Sequence, residues 1–290
     1  MLAGESLDQF IDTYWEWDRA KEAQDDRFLH PDTKSGEELE EYRLKEDGVI
    51  VEPIRRGKVS RRTWIALLIM LITVPLMLYL SVKFFHGKKY MRFSLLVVFF
   101  AMAPFFMAFE GRKPQAREIM VIAVLAAIGV AGRAAFYMIP HFKPIAAVVI
   151  LTGVSFGGEA GFLVGCFIIL VSNMFAGHGP WTPWQMFSYG MIGFLAGILY
   201  QKGIMKASRV QLCIYGFLSV FFIFGGIMNP ASILMTYGRI TKMSLLAHYI
   251  SGAPVDMVQA TATVIFLWFM SRPMLEKLER IKKKYGLIQR

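Results

Sequence analysis

Between Asn173 and Gln185, four hydrogen-bonding side chains (Asn173, His178, Thr182 and Gln185) alternate with Trp181 and Trp184 on a backbone restricted by Gly177, Gly179, Pro180 and Pro183. Indole rings offer flat apolar surfaces, and the polar groups beside them can read the edge of a flat, heteroatom-rich ligand. An interfacial aromatic belt would account for the two tryptophans alone. It does not account for the paired Gly-Pro constraints or the flanking polar groups, so the run reads as an outward-facing binding loop. Catalytic alternatives find little support. Residues 153–157 fit G-x-S-x-G, but they close an apolar span where the motif needs a strand-to-helix elbow. There is no H-E-x-x-H, Walker A loop or paired carboxylate cluster, and the five histidines are scattered. The chain is not expected to be an enzyme, and neither a cofactor nor a metal site is expected.

Other residues join the candidate site by position. Arg133 is the one basic residue deep in an apolar span, six residues before that span's outer end; it either meets substrate or snorkels to the interface. Tyr137 follows in the outer loop 136–144. The segment 228–254 reads as a long outer loop, a lid or binding element carrying Asn229, Tyr237, Arg239, His248 and Tyr249. Glu159 reads as a helix cap, and Asp256 either caps the last span, the favoured role, or meets the ligand.

These residues are positioned by apolar blocks too long for a soluble domain of 290 residues that is 55% hydrophobic and 14% aromatic. Candidate spans are Trp64–Phe85, Phe93–Phe109, Ile119–Ile139, Pro144–Phe156, Ala160–Phe175, Trp184–Tyr200, Val210–Ile227 and Pro254–Met270. Two of them fall below the range of roughly 17–25 residues for a spanning helix, so the spans at 144 and 160 are either tilted or sheltered in a bundle. The ladder Gly153, Gly157, Gly161 and Gly165 favours sheltering. In the span from Ile119, Ala123, Ala127, Ala131 and Ala135 recur every four residues; they serve either an internal contact or a smooth surface for another subunit.

Charge divides along the chain. Residues 1–63 hold 11 Lys/Arg and 16 Asp/Glu, and the remainder holds 21 and 6, so the net charge of +10 is not a nucleic-acid signal. A cytoplasmic N-terminus puts 18 Lys/Arg on inner segments against six on outer loops, which places both termini inside although loop 86–92 runs against the rule. Residues 6–17 read as a short amphipathic helix in an acidic cytoplasmic tail spanning 1–63, followed by an accessory transmembrane hairpin at 64–109. The six-span core covers 110–270, and a basic cytoplasmic helix covers 271–290. The first 60 residues are polar, so no cleavable signal peptide is expected. Cys166 and Cys213 lie in apolar spans, so neither a disulfide nor a thiolate zinc site is expected.

Three stretches carry a resemblance: PQAREIMVIAVLAAIGVAGRAAFYMIPHFKP, GHGPWTPWQMFSYGMIGFLAGIL, and SGAPVDMVQATATVIFLWFM followed by RPMLEKLERIKKKYG. Residues 114–290 resemble the S components of energy-coupling factor (ECF) vitamin transporters, in a branch similar to corrinoid S components. The resemblance implies an all-α integral membrane protein of a prokaryotic plasma membrane, with a six-helix core. It implies capture of a vitamin at the outer face and association with a transmembrane coupling subunit and two cytosolic ATPases. Ala123, Ala127, Ala131 and Ala135 would then form the subunit-contact face, and the outer loops 136–144, 173–185 and 228–256 the ligand pocket. A corrinoid is the ligand this implies, with riboflavin or another flat vitamin as the alternative. A sensory or scaffolding membrane protein is the reading from another class.

Overall fold

The computed structural model describes Met102, Phe106, Met107, Phe109, Glu110 and residues 116–237 and 240–285. The acidic tail with its amphipathic helix, the rest of the hairpin, Arg239 and the last five residues lie outside the described residues. Within the described residues from 116 onward, seven α-helices appear in order: α1 (Ala116–Ala135), α2 (Ile145–Phe156), α3 (Gly158–Ala176), α4 (Thr182–Gln201), α5 (Arg209–Leu218), α6 (Gly225–Tyr237) and α7 (Lys242–Lys284). A π-helical stretch, Ser219–Phe224, joins α5 to α6, so the two form one continuous rod. No strand occurs among the described residues. By length and composition α1, α3, the rod Arg209–Tyr237 and α7 can each cross a membrane.

The span at 160 extends into the 19-residue α3, and the short helix α2 settles how the span at 144 is accommodated. Its 12 residues rise only about 18 Å against a hydrocarbon core of about 30 Å. Every one of them is buried, and α1, α3, α4, α5 and α7 all touch it. A helix that is apolar all round belongs inside a bundle, so sheltering rather than tilt explains its length. Gly157, at φ 93°, turns the chain directly from α2 into α3, a conformation that favours glycine.

The glycine ladder works as close helix contact, with a partner row on α4. Gly158, Gly161 and Gly165 face Gly197, Gly193 and Gly190. A β-carbon at Gly193 would stand 2.6 Å from the carbonyl oxygen of Gly161, and one at Gly165 2.7 Å from the amide nitrogen of Gly190. Backbones meet because no side chain separates them.

α1 sits at the rim. Ile122, Leu125, Ala126 and Gly129 face the bundle, whereas Ala123, Ala127, Ala131 and Ala135 are all exposed. The alanine stripe therefore faces away from the other described helices.

The expected loop over 228–254 is corrected to two helices. α6 continues to Tyr237, and α7 starts at a capping box in which Thr241 Oγ1 accepts from Ser244 N at 3.1 Å and Ser244 Oγ accepts from Thr241 N at 2.9 Å. Hydropathy marks only the part of a helix that lipid requires, whereas the cap fixes where helical hydrogen bonding begins. At 43 residues α7 is about 64 Å long, roughly twice the hydrocarbon thickness. It also absorbs the C-terminal segment expected to be separate. Leu275, Leu278 and Lys282 turn inward there, and the Lys282 ammonium pairs with Glu279 and donates to the Ser155 carbonyl at the end of α2 at 3.2 Å.

Candidate functional site

The C-terminal ends of α1 and α3 and the first turn of α4 meet at one end of the bundle. The connection Gly177–Trp181 is short, so the last turn of α3 and the first of α4 are neighbours. Much of the expected loop is thus helical: Asn173 lies on α3, while Thr182, Trp184 and Gln185 lie on α4. Asn173, 1% exposed, is the hub. Its Nδ2 donates to Thr182 Oγ1 at 2.9 Å and to Gln185 Oε1 at 3.2 Å, and its Oδ1 accepts from Arg133 Nη1 at 2.8 Å. The same Arg133 nitrogen donates to Ser172 Oγ at 2.5 Å. Arg133 is therefore anchored by hydrogen bonds inside the protein, with no bond to Nε or Nη2 among the described residues. Ser172 escaped the sequence reading because a lone serine in an apolar span carries no signal until its helix end is placed.

The remaining expected residues are spread around this seam. Trp184 is buried in the core, where it positions the first turn of α4, whereas Trp181 is 42% exposed with its ring against Gly179. His178 and Tyr137 are exposed. Tyr249 donates its hydroxyl to the Gly226 carbonyl at 3.3 Å, and His248 meets Tyr237 edge-on at 5.7 Å; both link the rod's end to α7.

The seam continues through Tyr189 and Gln259, which the sequence reading did not select, to Asp256 and Asn229, which it named. Tyr189, one turn below Gln185 on α4, lies within electrostatic reach of Arg133. Its hydroxyl oxygen accepts from Gln259 Nε2 on α7 at 2.6 Å, and its ring packs against Phe224 at the end of the π-helical stretch, 5.0 Å between centroids. One turn from Gln259 on the same face of α7 is Asp256, whose Oδ2 accepts from Asn229 Nδ2 at 3.0 Å. Asp256 lies deep inside α7, so its expected role as a helix cap is corrected. Glu159, by contrast, does lie in the first turn of α3, where the helix dipole favours a carboxylate.

Loop 136–144 closes the arrangement. Lys143 Nζ donates to the Phe136, Tyr137 and Ile139 carbonyls, the last two at 3.1 and 2.6 Å, and so ties together the loop that follows α1. Burial, and then the charge of Arg133, pull Lys143 below the ordinary lysine range. Phe136 and Phe142 each meet Phe266 of α7 at 5.1 Å. His141, at φ 57°, adopts a left-handed backbone unusual for a residue with a side chain. The groups assembled here donate and accept hydrogen bonds around aromatic surfaces. No group of three or more His, Cys, Asp or Glu residues able to hold a metal occurs among the described residues.

Residues 113–272, more than half of the chain, match the family model of the ECF-type riboflavin transporter, S component. The chain belongs to this family. That family is one of membrane transporter S components rather than an enzyme class, and vitamin uptake is the process it serves. Curated relatives include UPF0397 proteins of Vibrio atlanticus, 35% identical over 33% of this chain and 54% of the relative, and of Aliivibrio fischeri, 38% identical over 29% and 48%. A third, from Aliivibrio salmonicida, is 34% identical over 35% of this chain and 56% of its own. The chain spans about half the length of the curated relatives it matches. No solved structure matches it. The family description names riboflavin and the relatives' names carry no ligand, so neither points to a corrinoid.

Proposed function

We propose that this S component captures a vitamin at the Arg133–Asn173 end of its bundle and delivers it inward with a transmembrane coupling subunit and two cytosolic ATPases. One observation carries the reading: α1 presents Ala123, Ala127, Ala131 and Ala135 away from its own bundle, while its last turn sends Arg133 into the polar seam. One helix thereby serves a partner surface and a ligand site. Arg133, Asn173, Thr182 and Gln185 form the hydrogen-bonding wall, and Trp181 and His178 border its mouth. Trp184 supports the wall from the core. Tyr137, His248 and Tyr249 belong to the segments that close over it. The basic excess on inner segments supports cytoplasmic termini.

A corrinoid is the preferred ligand, because aromatic surfaces and dispersed hydrogen-bonding groups suit a large tetrapyrrole edge. Riboflavin is the second reading, favoured by the family's own description. A thermal-shift panel of vitamins on the purified protein separates the two. Reconstitution tests the subunit role: the chain alone in liposomes binds ligand without concentrating it, and accumulation without ATPase partners would refute the proposal.

A further inference from the structure

Asp256 is the only Asp or Glu between Glu159 and Glu276, and it is 8% exposed within α7. A carboxylate inside an apolar helix pair is costly unless it is paired or used. No Lys or Arg pairs with it among the described residues, and its hydrogen bond comes from the neutral Asn229. Two glycines on two helices make room for the pair. A β-carbon at Gly225 would stand 2.6 Å from Asp256 Oδ2, and one at Gly252 2.6 Å from Asn229 Oδ1. Asp256 Oδ1 and Asn229 Oδ1 receive no hydrogen bond from any described residue. The result is two acceptors, one of them on a carboxylate, held without donors. His141 of loop 136–144 lies within electrostatic reach of Asp256, and Gln259 connects this end through Tyr189 to Arg133.

We infer that Asp256 and Asn229 are the acceptor end of the ligand site and select for a ligand presenting N–H donors, whether carboxamide, amino or ammonium, over one presenting a carboxylate. This rests on the substrate-capture reading above. Arg133 supplies donors at the other end of the same seam, so the site is polarised. A carboxylate brought to Asp256 meets like charge and leaves both acceptors unpaired, and an N–H group satisfies them.

The test is equilibrium binding to the purified full-length protein with cobalamin, cobalamin in which one peripheral carboxamide is hydrolysed to the acid, riboflavin, thiamine, biotin and pantothenate. The wild type is expected to bind an N–H-bearing probe. The near-isosteric Asp256→Asn should weaken that probe about tenfold or more with its melting temperature held. Asn229→Ala is the second variant and should weaken the same probe. Affinity unchanged within about twofold in both variants overturns the inference while substrate capture stands. Tighter binding of that probe by Asp256→Asn does the same. If no probe binds, both readings fail.

Discussion

Ala127→Leu separates the two duties of α1. In the isolated protein Ala127 is exposed, so the added carbons meet no neighbour and folding stability should change by no more than about 0.5 kcal/mol. Ligand affinity should hold, because Arg133 hangs from the opposite face of the helix. The cost falls on assembly. The four alanines run about 18 Å along α1, and a partner helix on small residues can approach to about 8 Å against about 10 Å over larger ones. A gap of 0.5–1 Å already forfeits about a quarter to a half of each contact's attraction, so a standoff near 2 Å removes most of it along the stripe. Losing about 1.4 kcal/mol of assembly energy cuts the assembled fraction about tenfold at limiting partner concentration. Ala126→Leu, at the adjacent buried position, is the control: overpacking there should cost about 1–3 kcal/mol of stability. The assay is ATP-driven uptake by the reconstituted four-subunit importer, beside ligand binding and thermal melting of the S component alone. Transport should fall in Ala127→Leu with binding and melting intact. Unimpaired transport, or equal loss of all three, refutes the partner-surface assignment.

Other substitutions test the site and the scaffold beneath it. Trp184→Ala should destabilise the fold by about 3–5 kcal/mol, because its ring is buried in the core, whereas Trp181→Ala should leave melting nearly unchanged and weaken ligand about 30-fold. Isothermal binding with parallel melts checks both, and an unaltered dissociation constant in Trp181→Ala removes that ring from the site. Gly193→Ala should destabilise by about 1–3 kcal/mol by forcing α3 from α4, which a lowered melting temperature would report; an unchanged one contradicts the backbone contact. Lys282→Met should cost about 3–5 kcal/mol by breaking its buried pair with Glu279, and replacing both residues by apolar ones should recover most of it. Melting of the single and double variants decides whether the pair or the volume matters.

Several features were legible in the linear sequence because they depend on local composition. Apolar length marked the spans, small-residue spacing marked the α1 stripe and the ladder from Gly153 to Gly165, and the Gly-Pro-Trp run marked the turn between α3 and α4. Arg133 and Asn173 stood out as polar groups in apolar surroundings. The sequence could not show that they bond to each other, since that contact joins two helices through the fold. The partner row Gly190, Gly193 and Gly197 passed unnoticed for the same reason: glycine in an apolar span has meaning only against the backbone it faces. Asp256 looked like a cap because hydropathy begins the last span beside it. The capping box at Thr241 moved the helix start outward and left the carboxylate inside, one turn from Gln259. Sequence alone thus determined which segments must avoid water, since burial of apolar surface is read residue by residue. Tertiary structure decided which faces of those helices meet and which polar groups become partners, because that depends on the relative rotation of helices whose neighbours the sequence does not name.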